Sequence, residues 1–491
     1  MFVRNFTFKV SSQFLAAVMA FVSLLVMARY VANEYGTMMW GFALISLVNT
    51  VADIGFNSAN LKFIAKKDYD QSACFSTYLV IKFFLTIIMV VGTIVAAYMM
   101  LVSGSITGEE YQVCLVFVVY QIISNFQFAV YYTLDGMMMS GKSSILTIVE
   151  CSIRNAVLIV MALMYVDAVV LSSSYVIATA ISGLLSIIMI HQVGLRLKKP
   201  IYIREYAVFA APLAVALVLA SVVSNLDKVI IGLFYDSMEV SYYSTAVGMI
   251  ATFTAVGVSL NTVLLPLLSK NTTDKKTKDK ADIEKTIWGL ERSLCILLGP
   301  FIVFFMILGE EIGAVLFGPD FGPSGIMMSV LAIHIIPFVF AGVMTQVLYA
   351  INKGRAYLKA SIILCIIAVV GFFILIPPEG YMSVGMGYAG VGAATSVVLA
   401  YVAFAIVLIY MVWKSTGYRL YPKLWKPLIA FLISAQALWW VDQVIPVHGF
   451  IGLIGEGLLV EVVFLGILYI LKEFKIKHIM SIWKKFRDDK D

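Results

Sequence analysis

Apolar residues in this chain come in long unbroken stretches, with polar residues confined to short turns between them. Windows of twenty or more mostly apolar residues fall at 10–31, 37–61, 78–101, 111–133, 143–165, 168–190 and 207–234. Seven more follow at 240–268, 286–308, 326–350, 357–376, 384–412, 424–446 and 450–471. A helix needs about 20 apolar residues to cross the hydrocarbon of a bilayer. The runs are continuous, not alternating, so they predict spanning helices and not barrel strands. The pattern therefore predicts an all-α integral membrane protein of about 14 transmembrane helices.

The basic residues alternate in register with these windows. With the N-terminus inside, all but three of the 35 Lys and Arg fall at inward ends. Outward turns are acidic instead: Glu109, Glu110, Asp167, Asp236, Glu239, Glu310, Glu311, Asp320 and Glu379. The positive-inside rule then places both termini in the cytoplasm and the chain in the plasma membrane. Composition agrees: 61% of residues are hydrophobic and only 13% charged, about half the charge of a soluble protein. That excludes a soluble enzyme. The net charge of +6 belongs to the membrane face, so no nucleic-acid partner is implied. Five scattered cysteines and four distant histidines suggest no disulfide framework, metal site or cofactor. The tryptophans, Trp40 among them, lie near span ends and read as interfacial anchors. The final segment LKEFKIKHIMSIWKKFRDDKD sets Ile476, Ile479, Ile482, Trp483 and Phe486 on one stripe, predicting a basic amphipathic helix on the inner leaflet.

The first six windows and the next six both start inside, which suggests two six-helix lobes around a central cavity, related by an axis along the membrane normal. The expected divisions are 1–199, 200–412, and 413–491 for the last two spans and the basic tail. VANEYGTMMWGFALI (31–45) and YDSMEVSYYSTAVGM (235–249) hold corresponding positions in the two lobes. Proline first occurs at Pro200, and Pro212, Pro266, Pro300 and Pro337 fall in four consecutive spans, where each removes a backbone bond. The polar segment KNTTDKKTKDKADIEKT (270–286) reads as a solvated inward loop. Gly136 to Ser143 matches the phosphate-loop pattern GxxxxGK[ST]. That motif works between a strand and a helix, whereas here it joins two spans, so no nucleotide partner is expected.

Ionisable residues inside spans are costly and usually face a cavity or a partner. Glu150 and Arg154 are four apart and share a face. They are either an ion pair between helices or an arginine that binds an anionic substrate under the restraint of Glu150. Asp227 and Lys228 are adjacent, about 100° apart around the helix, so each is expected to need another partner. Asp53 lies in the inner half of span 2 and Arg29 near the outer end of span 1. Lys62 and Lys82 look like inner-end topology markers, and Glu461 has no evident partner. Arg29, Arg154 and Lys228 are thus three cations away from the inner leaflet, suited to a phosphate. Asp53, Glu150 and Asp227 would balance them when the site is empty.

PLAVALVLASVVSNLDKVIIGLFYDSMEVSYYSTA (212–246) resembles the seventh-to-eighth-helix signature of Wzx-like polysaccharide flippases. These belong to the multidrug/oligosaccharidyl-lipid/polysaccharide exporter superfamily. ADIGFNSANLKFIAKK (52–67), VLYAINKGRAYLKAS (347–361) and GYAGVGAATS (387–396) resemble other helix ends of that family. The resemblance implies alternating access and a polyprenyl-(pyro)phosphate-linked oligosaccharide as cargo. Membrane lipids are the other expected partner, and no enzymatic activity is expected. A multidrug/cation antiporter of the same superfamily is the alternative, with a membrane glycan polymerase or ligase behind it.

Overall fold

A computed structural model describes residues 2–66, 68–273, 280–351, 353–444 and 449–473. Side-chain detail covers these residues apart from 2–14, 212, 256, 259–273, 280–283, 285–286 and 350. The amphipathic-tail expectation and most of the polar 270–286 segment lie outside the described residues.

The described chain is helical, with no strand among its residues. The helices are α1 (Phe2–Tyr30), α2 (Ala32–Asp53), α3 (Phe56–Ile64), α4 (Gln71–Val102), α5 (Gly108–Gly136), α6 (Ser140–Leu163), α7 (Ala168–Val193) and α8 (Ile203–Phe234). They continue with α9 (Ser237–Thr273), α10 (Lys280–Phe317), α11 (Gly322–Ala332), α12 (Ile335–Ala350), α13 (Gly354–Leu375), α14 (Ala389–Thr416), α15 (Trp425–Val444) and α16 (Phe450–Ile470). Among the described residues, 11 helices are long and apolar enough to cross a bilayer, or up to 12 with one bent pair taken as a single span. The 14 expected from hydropathy are not all reached by that measure.

Two windows expected as single spans are broken. The 37–61 window divides into α2 and α3 at Ile54 and Gly55, both left-handed with φ of 35° and 81°. Gly55 suits the break twice over: it tolerates positive φ, and a Cβ there would lie 2.9 Å from Leu213 Cβ and 3.0 Å from the Ala210 carbonyl oxygen. The 326–350 window divides into α11 and α12, and the pair is bent by 41°. Pro337 sits in the first turn of α12, where a missing N–H leaves no gap. In α10 the non-helical residue is Leu308, well beyond Pro300, so the proline is not its direct cause.

Helix starts are set by polar caps lying outside the apolar windows. Asp70 accepts from Ala73 N, and Asp167 from Val170 N. Thr107 and Glu110 form a reciprocal capping box on α5. Each cap satisfies a donor that the helix start leaves free. Because Asp70 starts α4 at Gln71, that helix begins seven residues before the hydropathy boundary at 78.

The chain divides into two compact units. The first comprises residues 1–252 and 358–403. In it α2 packs closely on α8 and the start of α9. Trp40 is 1% exposed, and its Nε1 donates to the Val229 carbonyl at 3.3 Å. A Cβ on Gly232 would fall 2.2 Å from that indole. The interfacial role expected for Trp40 is therefore corrected: a glycine facing it makes an internal slot for the ring. By contrast Trp413, Trp425, Trp439 and Trp440 are exposed. Small residues that let helices approach are the usual basis of packing in lipid. At Gly36 a Cβ would lie 1.7 Å from the Ser237 carbonyl oxygen. Gly36→Ala should cost about 1–3 kcal/mol through overpacking, seen as a lower melting temperature in detergent. Gly92→Ala, where nothing lies within 4 Å, should melt like the parent.

The second unit comprises residues 253–357 and 404–491. Its core seats Phe464 of α16 over Gly299 of α10. At the end of α16, Glu473 meets Lys426 Nζ at 2.9 Å and Arg292 Nε at 3.1 Å, and it also accepts from the Tyr421 hydroxyl. Burial raises the Glu473 carboxyl, but the hydrogen bonds from Tyr421 and Lys426 and the charge of Arg292 outweigh it and hold the group below its ordinary value.

Candidate functional site

Six of the intramembrane charges form three pairs, all inside the first unit. On α6, Arg154 Nη1 lies 3.5 Å from Glu150 Oε1, one helical turn apart. Glu150 Oε2 also accepts from Gln127 Nε2 of α5 at 2.9 Å. The guanidinium lies over the Tyr175 ring of α7, with Cζ 5.0 Å from the centroid. Tyr175 in turn packs on Phe42, Phe117 and Tyr120, with centroids 5.3–5.4 Å away. Behind this cluster, Asn155 accepts from Ser23 of α1 at 2.5 Å and donates to the Cys151 carbonyl at 2.7 Å. The result is a rigid aromatic wall carrying a cation whose side chain is still 24% exposed. A guanidinium has five N–H donors in a planar fork. Glu150 and a 3.7 Å contact with Cys151 Sγ leave donors free for an anionic ligand.

On α8, Asp227 and Lys228 are both nearly fully buried. They pair with each other, Nζ to Oδ1 at 3.6 Å, which corrects the expectation that adjacent residues cannot meet. The lysine stem is long enough to fold back, and its ammonium also donates to the Ser224 carbonyl at 3.2 Å. Asp227 is held further by the Tyr243 hydroxyl of α9 at 2.7 Å. This arrangement is internally satisfied.

The third pair joins Asp53, at the end of α2, to Lys82 of α4 at 3.8 Å. Asp53 also accepts from Asn57 N at 3.3 Å, and the Tyr78 hydroxyl donates to Asn57 Oδ1. Lys82 is 1% exposed, so the inner-end marker expected there is corrected to a buried partner of Asp53. The hydropathy window began at 78 and made Lys82 look terminal. The Asp70 cap moves the helix start back and leaves Lys82 well inside α4. Arg29 is exposed in the last turn of α1. Among the described residues no ion pair or hydrogen bond links one of these pairs to another or to Arg29.

Three other positions escaped sequence reasoning. Gln127 and Tyr175 carry no charge and so gave no signal. Glu456 is 4% exposed on α16, whereas Glu461, which drew attention in the sequence, is only half-buried. The phosphate-loop match spans the end of α5, a three-residue turn and the start of α6. Ser143 is fully buried, and its hydroxyl donates to Asp135 at 2.5 Å. Its context is a helix–turn–helix, without the preceding strand that a phosphate cradle needs.

Comparison with known proteins gives a consistent picture. The family model described as "Polysaccharide biosynthesis protein" matches residues 2–272, more than half of the chain. The capsular polysaccharide biosynthesis protein CapF of Staphylococcus aureus is 24% identical over 203 residues, which are 40% of this chain and 47% of that protein. The probable lipid II flippase MurJ of Buchnera aphidicola is 31% identical over 117 residues, 23% of this chain and 22% of that protein. The chain thus spans less than half the length of either relative. Among solved structures, one described as "Lipid II flippase MurJ, inward closed conformation" superposes with a TM-score of 0.72. It covers 94% of this chain and 98% of that one at 14% identity. An inward-facing multidrug resistance MATE family transporter of the MOP superfamily gives 0.58 at 11% identity, over 82% of this chain and 94% of its own. Together these show the fold of a multi-pass membrane transporter.

Proposed function

The chain belongs to the polysaccharide biosynthesis protein family, and on that premise we propose that it is a flippase for a polyprenyl-(pyro)phosphate-linked oligosaccharide. The cargo moves from the inner to the outer leaflet by alternating access. The two lobes are residues 1–199 and 200–412, with both termini cytoplasmic. The physical task is to carry a sugar-phosphate head past hydrocarbon, where each unsatisfied polar group costs several kcal/mol. The single observation that carries the reading is Arg154. It is restrained by one carboxylate, braced against an aromatic wall and left with free donors. In this reading Arg154 holds the phosphate while Glu150 neutralises it in the empty state. Lys228 and Asp227 form the corresponding pair on α8, and Asp53 balances Lys82. Arg29, exposed at the end of α1, meets the phosphate near the outer face. The membrane potential, negative inside, adds about 2.3 kcal/mol per charge per 100 mV toward outward movement of an anion.

The multidrug antiporter reading draws on the MATE-like fold. A site for cationic drugs calls for carboxylates in excess, whereas Asp53, Glu150 and Asp227 are each matched by a cation. Proteoliposomes loaded with a fluorescent polyprenyl-diphosphate-linked glycan test the choice. The flippase reading expects protein-dependent exposure of the glycan to an outside lectin, faster with the interior negative. Export of a cationic dye against a proton gradient, with no glycan exposure, overturns it.

A further inference from the structure

Away from the three pairs, the first unit holds a recess of about 690 Å³. Its rim carries Lys62 of α3 and Arg204 and Glu205 of α8, all exposed. Its floor is aromatic, formed by Phe63, Tyr69 and Phe209. Those rings brace one another: Phe63 lies 5.1 Å from Tyr69 and 5.9 Å from Phe209, and beneath them Tyr206 stacks on Phe63 at 5.0 Å. Lys62 Nζ sits 3.9 Å above the Phe209 centroid. Lys66 Nζ reaches to 5.7 Å from the Tyr69 ring.

The charges are not neutralised in place. Among the described residues none of Lys62, Lys66 and Arg204 forms an ion pair, and Glu205 is the only acid lining the recess. The nearby Asp70 is already engaged by Lys198 Nζ at 2.6 Å. Inward topology accounts for basic residues in the 62–82 and 191–206 stretches. It does not account for a concave site in which those cations lie over a packed aromatic floor. Cations that lack carboxylates attract phosphate, and aromatic faces offer a flat apolar surface for the C–H side of a sugar ring.

We propose that this recess binds a phosphate-bearing, hydroxyl-rich headgroup, distinct from the site at Arg154. Lys62 and Arg204 hold the phosphate and the Phe63–Tyr69–Phe209 floor supports the ring. The headgroup of a lipid-linked sugar, a free sugar phosphate and an anionic phospholipid share this chemistry. Only the first of these sources rests on the flippase reading.

The full chain in phosphatidylcholine nanodiscs distinguishes the three sources. Binding is measured for a short-chain prenyl-diphosphate-linked N-acetylglucosamine, for glucose 1-phosphate, and for phosphatidylglycerol added to the discs. The variant Lys62→Gln/Arg204→Gln changes only exposed side chains and should keep the parental melting temperature. It should bind the preferred probe at least tenfold more weakly, and the probe with the largest loss identifies the source. Lys198→Gln, whose ammonium is already engaged by Asp70, should keep parental affinity. Equal affinity of parent and double variant for every probe overturns the proposal, as does a parent that binds none of them. Loss of translocation with headgroup binding intact would overturn the transport reading and leave the recess standing.

Discussion

Arg154→Ala, reconstituted in vesicles, is expected to flip a polyprenyl-diphosphate-linked glycan about 100-fold more slowly than the parent. The size follows from losing about 3 kcal/mol of charge-assisted hydrogen bonding to a phosphate, at about 1.4 kcal/mol per tenfold. Arg154→Lys keeps the charge and loses the planar fork, so an intermediate rate is expected. The loss has a competing structural explanation, because Glu150 would be left beside Gln127 without its cation. The exchanged variant Glu150→Arg/Arg154→Glu separates the two. It restores a pair at the same spacing, so it should melt close to the parent, yet with the cation moved one turn along α6 it should still transport poorly. Parental transport in Arg154→Ala, or full transport in the exchanged variant, would remove Arg154 from the substrate path.

The second large effect is expected on stability. Lys82→Ala leaves the Asp53 carboxylate, 30% exposed, without its ammonium partner. Breaking a buried pair from one side costs about 3–5 kcal/mol, and the partial exposure of Asp53 places this case at the lower end. The melting temperature in detergent should fall by several degrees. Asp53→Asn on the Lys82→Ala background should recover part of the loss, because the amide needs no countercharge. If Lys82→Ala melts like the parent, or if Asp53→Asn makes it worse, the pair does not hold α2 to α4.

Much of the architecture was legible from hydropathy because a bilayer imposes a length and an apolar composition on every crossing segment. The breaks were not. Around Ile54 and Gly55 the apolar average of the window absorbs Asp53, Asn57 and Ser58, so the window ran straight through, and backbone torsion marks the end of α2. At 326–350 the bend between α11 and α12 is likewise invisible to a hydropathy average.

The candidate site was half legible. Glu150 and Arg154 announce themselves by charge and by a spacing of one helical turn, and the structure pairs them. Asp227 and Lys228 announce themselves by charge, but their pairing depends on the lysine stem folding back along α8, which helical-wheel geometry does not describe. Gln127, Tyr120 and Tyr175 decide how Arg154 is held. Being uncharged residues in apolar runs, they look like any other core position.

The sequence by itself determined that this chain lives in a bilayer and is helical, and that Glu150, Arg154, Asp227 and Lys228 sit within its spans. Those follow from transfer free energies, which depend on residue type and are read one window at a time. Only the tertiary structure decided that Lys82 belongs to Asp53 and that Trp40 is internal. It alone placed Arg154 against Tyr175 with donors to spare. Those depend on which side chains from distant helices share a few ångströms, and no local pattern along the chain records that.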